Sequence, residues 1–466
     1  MKGWVAFISI ALAALMLMAL FSVINPIAIL SPEDPTENAV ISAYITHNPI
    51  RIEGNAGFVG PNASTGISYG SGTVTDPFII EGWEISSTYK NGIDIKNSDV
   101  HFVIRNCFIN WGAYPFKGIY LQNCSNGTIE DNSCFKNCYA INLEMSNNIS
   151  VNDNNCSSCS GLSILLLSSD NNSIYNNNCY GDESNGIHLD QSDHNIIDNN
   201  NCSENGGGIW LESSAGNAVR NNTCNSNIGS GILLFSSSNN SIHHNNCSDQ
   251  GNGIFLSSST DNTVDGNTCN SNNFNGIACV YASTDNILCN NNCSKNDIGI
   301  EFYSTTNDNS RNMVYDNSIL NSTRYGIKIG FGSDNMIWNN TFIDNNGAAN
   351  LYDPSHIQAD DHGTSNQWNS ANGYGNYWCD WTSPDNNTPY GRVDSPYKID
   401  GNASAKDYYP LTAPRILDSP YVPSSNDLLI PILAIAVIIT IAVIFASFIV
   451  LKKHKEKKVE PPTLNQ

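Results

Sequence analysis

The chain has 466 residues, enough for a large extended body, and its formal charge of −22 argues against nucleic-acid or anionic-polymer partners. Only 14% of the residues are charged, so most of its polarity comes from Asn, Ser and Thr, the residues of turns rather than of solvated helices. Fifteen cysteines, an odd number, cannot all be paired.

Residues 4–24 are apolar after a single Lys2, which reads as a signal peptide or an uncleaved signal anchor over residues 1–31. Residues 32–85 form an N-terminal cap with the first strands. From 86 to 345 the sequence repeats. Cysteines stand at Cys134, Cys156, Cys179, Cys202, Cys224, Cys247, Cys269 and Cys293, in steps of 22 to 24 residues. Two positions before each is an asparagine, from Asn132 and Asn154 to Asn267 and Asn291, and five before each is an aliphatic, from Ile129 to Leu288. Ile319 and Phe342 continue the cysteine column. A second column runs through Gly92-Ile93, Gly118-Ile119, Ala140-Ile141, Gly161-Leu162, Gly186-Ile187, Gly208-Ile209, Gly231-Ile232, Gly253-Ile254, Gly276-Ile277, Gly299-Ile300 and Gly326-Ile327.

A fixed period of this size means a stacked solenoid. Short apolar alternations between Asn, Ser, Asp and Gly turns predict about three strands per period and no helices. The predicted fold is all-β: a right-handed parallel β-helix of about eleven coils, a rod roughly 50 Å long at about 4.8 Å per coil. The asparagine column reads as a ladder whose residues adopt the left-handed backbone of a tight bend and bond amide to amide between coils. In-register cysteines keep their Cβ atoms near 4.8 Å apart, beyond the roughly 3.5–4.5 Å of a disulfide, so the column reads as buried thiols. Cys107 looks like an early rung. For Cys124, Cys138, Cys159, Cys279, Cys289 and Cys379, off the main register, pairing stays open.

Residues 346–412 form a C-terminal cap and 413–427 a Pro- and Ser-containing stalk. A 24-residue apolar stretch, 428–451, is long enough for a single transmembrane helix, and the Lys-rich tail 452–466 follows it. This layout predicts a single-pass membrane protein with the β-helix outside the cell and the C-terminus in the cytoplasm. Sequons are dense, with Asn171 and Asn239 at turns suited to glycans.

The stretch from Gly70-Ser71-Gly72-Thr73 through Asp76-Pro77-Phe78-Ile79-Ile80-Glu81-Gly82-Trp83 resembles the start of the helix in archaeal cell-surface proteins with NosD-like (PbH1) parallel β-helix repeats. The elements Gly375-Asn376-Tyr377-Trp378-Cys379-Asp380-Trp381, Asp394-Ser395-Pro396-Tyr397 and Asp407-Tyr408-Tyr409-Pro410-Leu411 are similar to their C-terminal cap. The resemblance covers roughly residues 50–412 and implies the β-helix fold and a place in a broad carbohydrate-binding and sugar-hydrolase-like group. NosD itself is an accessory in assembling the copper centre of nitrous oxide reductase. The loop 382–393, with one carboxylate and an arginine, is a poor oxygen cage for calcium. No cofactor is called for.

Stacked coils turn the outward positions of the Gly-Ile strand into a flat face. Down it run Tyr120 and Gln122, Asn142 and Glu144, Ser163 and Leu165, His188 and Asp190, Trp210 and Glu212, then Leu233 and Phe235. Aromatics beside carboxylates suit sugar rings, so Tyr120, Glu144, His188, Asp190, Trp210 and Glu212 are the expected glycan-binding residues. Asp190 and Glu212, on adjacent coils, are the candidate acid/base pair. His356, Asp360, Asp361 and His362 in the cap are imidazoles and carboxylates able to ligate zinc or copper, at a spacing that matches no defined motif. Three functions follow: a membrane-anchored module binding glycans or cell-envelope polymers, a polysaccharide hydrolase or lyase using the same face, and an envelope scaffold or NosD-like copper-site accessory.

Overall fold

The computed structural model describes residues 44–62, 65–110, 112, 114–305, 308–386 and 391–414. The signal or anchor segment, most of the stalk, the apolar stretch 428–451 and the basic tail lie outside these residues. Among the described residues no helix is long and apolar enough to cross a membrane.

The strands wind into a right-handed parallel β-helix of about eleven turns with three sides. One side is a 13-stranded sheet from Ile50–Glu53 to Ala359–Asp361, which contains the Gly-Ile strands. A second 13-stranded sheet runs from Ile67–Tyr69 to Met336–Trp338 and is parallel apart from its first pair. The third side is a six-stranded sheet from Ile45–Thr46 to Asn178–Tyr180 and a four-stranded one from Asn292–Ser294 to Tyr377–Trp378. Between them, single bridges through Asn201, Thr223, Asn246 and Thr268 carry the pairing across the middle coils.

Alternate side chains point inward and stack into columns: Ile187, Ile209, Ile232 and Ile254 on the first sheet, Ile197, Val219 and Ile242 on the second, all excluded from water. Burying each aliphatic side chain contributes about 1.5–3 kcal/mol. The thiol column runs along the third side, facing the glycines of the first sheet. A Cβ on Gly208 would sit 2.3 Å from the Gly231 carbonyl oxygen and 2.9 Å from the Cβ of Cys224. The same clash recurs for Gly253 with Gly276 and Cys269. At Gly208 and Gly253 a side chain would have to push the next coil away, and the small thiol facing the glycine leaves room for the backbone, whereas Ala140 and Ser163 are accommodated at the same position in earlier coils. All fifteen cysteines are free and buried, including the six off the main register. Burial pushes Cys202 and Cys247 well above the ordinary thiol range and Cys279 up to about 12.

The asparagine column is a hydrogen-bonded ladder, but its asparagines are not the left-handed residues. Positive φ falls one position earlier, at Asp153 (56°), Asn176 (56°), Asn199 (53°) and Asn221 (55°). The left-handed residue turns the chain, and the next residue points inward to satisfy the backbone groups that the turn leaves open. Asn200 shows the pattern. Its N–H donates to Asn222 Oδ1 (2.8 Å), its Nδ2 donates to the carbonyls of Ile174 (2.9 Å) and Asp198 (3.1 Å), and its Oδ1 accepts from the N–H of Asn177 (2.9 Å). Each coil has further corners built this way. A second ladder runs through Asn172, Asn195, Asn217, Asn240 and Asn262, and a serine ladder through Ser169, Ser192, Ser214 and Ser237.

One coil departs from the expected register. Ile141 pairs with Ile164, not Leu162. Ser163 thus takes the glycine position, and the outward residues are Leu165 and Leu167 rather than Ser163 and Leu165. A hydroxyl sealed in the interior needs partners, and Ser163 Oγ shares its hydrogen between two acceptors, the Cys156 carbonyl (2.9 Å) and the Asp182 carboxylate. Asp182 stands where Asn205 and Asn227 stand in the following coils, accepting from the Cys159 N–H (2.7 Å). Burial pushes its carboxyl up to about 7, against the hydrogen bonds from Ser163 and Cys159 that favour ionisation.

An aromatic stack closes the C-terminal end. Trp378 lies 4.1 Å from both Phe342 and Tyr397, continuing the column of Cys293, Ile319 and Phe342. Asp407 accepts from Trp378 Nε1 (3.0 Å) and the Asn376 N–H (2.6 Å), and burial pushes it up to about 6.

Asn200→Leu orphans several buried groups at once and is expected to cost about 3–5 kcal/mol, read as a drop in the unfolding midpoint; an unchanged midpoint would refute the ladder's role. Asp182 has a folded pKa above its unfolded value of about 3.9, so its contribution to stability is greatest below about pH 4 and declines toward pH 7, as its carboxyl ionises in the unfolded chain before it does in the folded one. In Asp182→Asn the amide donates to Ser163, so that contribution to the slope between pH 4 and 7 disappears and stability at pH 7 rises; denaturant midpoints across that range check it.

Candidate functional site

The outward face of the Gly-Ile sheet is two parallel columns, one strand per coil. The first reads Tyr120, Asn142, Leu165, His188, Trp210, Leu233, Phe255, Ala278, Glu301, Lys328 and Asp360. The second reads Gln122, Glu144, Leu167, Asp190, Glu212, Phe235, Ser257, Val280 and Tyr303. Strand pairing alone sets this order, because residues two apart on a strand share a face and parallel register repeats them every coil.

At the centre His188 stacks on Trp210, with ring centroids 4.5 Å apart and planes 4° from parallel. Asp190 and Glu212 are register partners, as expected, but Glu212 turns to His188, with Oε2 3.3 Å from Nε2. Trp210 Nε1 has no hydrogen-bond partner. Burial lowers the His188 pKa, while the carboxylates of Glu212 and Asp190 oppose that shift. Beyond the stack the face is largely apolar: Leu233 and Phe255 are half-buried, Phe235 and Tyr303 are exposed, Ala278 is buried between Phe255 and Glu301, and Val280 is buried between Ser257 and Tyr303.

Tyr120 and Glu144 lie apart from this centre, and Tyr120 is only 6% exposed rather than open to solvent. Its hydroxyl donates to Glu144 Oε2 (2.6 Å), and Gln122 Nε2 donates to the other oxygen (3.0 Å). Lys96 and Lys117 lie 5.0 and 4.8 Å from the ring centroid. Burial, then the Glu144 carboxylate, raises the Tyr120 pKa and keeps the hydroxyl protonated. Sequence reasoning missed both lysines. Lys96 stands two residues beyond Asp94 on the second coil, and Lys117 opens the strand Lys117–Cys124, before its Gly-Ile pair.

The cap residues do not converge. His356 Nδ1 meets Asp353 (3.2 Å) and Ser355 (3.0 Å), and His362 Nε2 meets Asp360 (3.1 Å). Asp361 accepts from Trp368 Nε1 (2.9 Å) and Asn366 Nδ2 (3.0 Å), which makes it a buried structural acceptor. His243 and His244 bring their Nδ1 atoms to 3.0 Å on the second sheet.

A family model described as periplasmic copper-binding protein (NosD) matches residues 48–229, 178–278 and 209–383. No curated protein matches the chain. Among solved structures, the A-module of mannuronan C-5 epimerase AlgE4 from Azotobacter vinelandii is similar at 15% identity and TM-score 0.47, covering 61% of this chain and 88% of that one. The periplasmic alginate epimerase AlgG is similar at 14% identity and TM-score 0.31, covering 69% and 83%. The catalytic domain of a GH87 α-1,3-glucanase in complex with nigerose is similar at 15% identity and TM-score 0.37, covering 76% and 71%.

The residues present do not fit a copper centre of the usual donors. Among the described residues, no group of three or more His, Cys, Asp or Glu is placed to hold a metal ion. The thiols, the softest ligands, are all buried in the interior, away from any incoming ion.

Because Glu212 opposes the loss of charge on His188, Glu212→Gln should lower the His188 titration midpoint further below its ordinary value of about 6.5. The His188 ring resonances followed by NMR against pH check this, and an upward or absent shift would refute the coupling.

Proposed function

This chain is a member of the NosD family, and from that footing we propose that it is a glycan-binding β-helix module that uses the outward face of the Gly-Ile sheet around His188 and Trp210. The observation that carries this reading is the stacked His188–Trp210 pair, two half-buried rings that cover one another along the rod axis and turn their rims to the face, with a buried, unbonded indole N–H and with Asp190 and Glu212 alongside. A pyranose ring can lay its C–H face on these rims and the apolar side chains beside them, and turn its hydroxyls to the flanking carboxylates. Binding is preferred to bond cleavage because Glu212 is engaged by His188, which leaves Asp190 without a matching acid. The proposal includes the setting: the apolar stretch 428–451 and the lysines after it support a single-pass anchor with the rod outside the cell.

The test is retention of the purified full-length chain on immobilised polysaccharides, with Trp210→Ala in parallel. Loss of stacking is expected to weaken retention about ten-fold while leaving the unfolding midpoint within a few degrees. Release of reducing ends or unsaturated product that needs both Asp190 and Glu212 would turn the reading to a processing enzyme. No retention of folded wild type on any polymer would leave a scaffold.

A further inference from the structure

The strip from Leu165 to Tyr303 spans seven successive coils, about 29 Å along the rod at the register spacing. No lysine or arginine stands at any of its outward positions, and its only charges are the carboxylates Asp190, Glu212 and Glu301. The lysines of this face lie beyond the strip. Lys96 and Lys117 are held over Tyr120, and Lys328 stands between Glu301 and Asp360. Four arginines, Arg105, Arg220, Arg311 and Arg324, each pair with a carboxylate of the preceding coil.

We infer that the ligand of this strip is a neutral polysaccharide, and not a uronate-containing or sulfated one; this rests on the glycan-binding reading above. The argument is complementarity. Carboxylates only accept hydrogen bonds, so Asp190 and Glu301 call for a ligand rich in donors, which hydroxyls supply and which carboxylate or sulfate groups do not. Apolar contacts from Leu165, Leu233, Phe235 and Phe255 suit the C–H faces of uncharged rings. A polyanion would meet three carboxylates on the strip and the field of a chain at −22, with cations near only one of them, where Lys328 and Arg324 lie beside Glu301 at the strip's end. The same repulsion disfavours a second copy of this chain, which would bring its own three carboxylates against these.

The test compares the full-length chain on neutral polymers (a β-glucan, a xylan, a mannan) and acidic ones (alginate, polygalacturonate) at about 0.05 and 0.5 M salt, where screening differs strongly. Retention on a neutral polymer that changes less than about two-fold with salt, and falls about ten-fold in Trp210→Ala and in the exposed-site variant Phe235→Ser, is the expected result. Retention on acidic polymers alone, lost in the higher salt yet still dependent on Trp210, would overturn the neutral assignment and leave the binding site standing. Retention indifferent to both variants would remove the site itself, and the assignment with it. A dimer in sedimentation equilibrium that Phe235→Ser converts to monomer would also overturn it, by giving the strip to a second copy.

Discussion

The constraint behind this rod is the satisfaction of backbone polar groups at its corners. Parallel strands about 4.8 Å apart bond along the axis, but a coil that turns three times in 22 or 23 residues leaves N–H and C=O groups facing inward at every bend, out of reach of water. The chain answers with a left-handed residue followed by an inward Asn or Ser, whose side chain bonds both to its own coil and to a neighbouring one. The stacked aliphatics, the glycine–cysteine contact and the flat outward face all depend on corners that superpose from coil to coil. A coil that closed differently would break every column at once.

That dependence explains what could be read from the sequence. A period enforced at each corner is visible as Asn, Cys and Gly-Ile columns, so the β-helix and the thiol column were legible. The role of the asparagines was legible only in part. The bend residue varies among Asp153, Asn176, Asn199 and His244, so no column marks it, whereas the regularly spaced asparagine beside it does form one. The Gly161 register slipped for a similar reason: a Gly-Leu pair imitates the motif two residues early, and only the strand pairing places Ser163 at the glycine position.

The candidate site was legible in its order but not in its contacts. Register gave His188 beside Trp210 and Asp190 beside Glu212, because strand alternation fixes both. Side-chain direction decided the rest. Glu212 bends to His188, Tyr120 disappears beneath two lysines, and His356 and His362 each find a nearby aspartate. Such choices depend on rotamers of long side chains, which leave no periodic trace.

The aromatic stack of Phe342, Trp378 and Tyr397 has a meaning beyond packing. A parallel β-helix is an open-ended structure whose last coil presents a row of unpaired strand edges identical in spacing to the next coil it lacks. By filling the hollow end with rings and tying Trp378 to the buried Asp407, the chain makes its final cross-section unlike any other in the rod. The terminus thereby ceases to be a template, and a sequence that repeats like a fibril subunit remains a body of finite length.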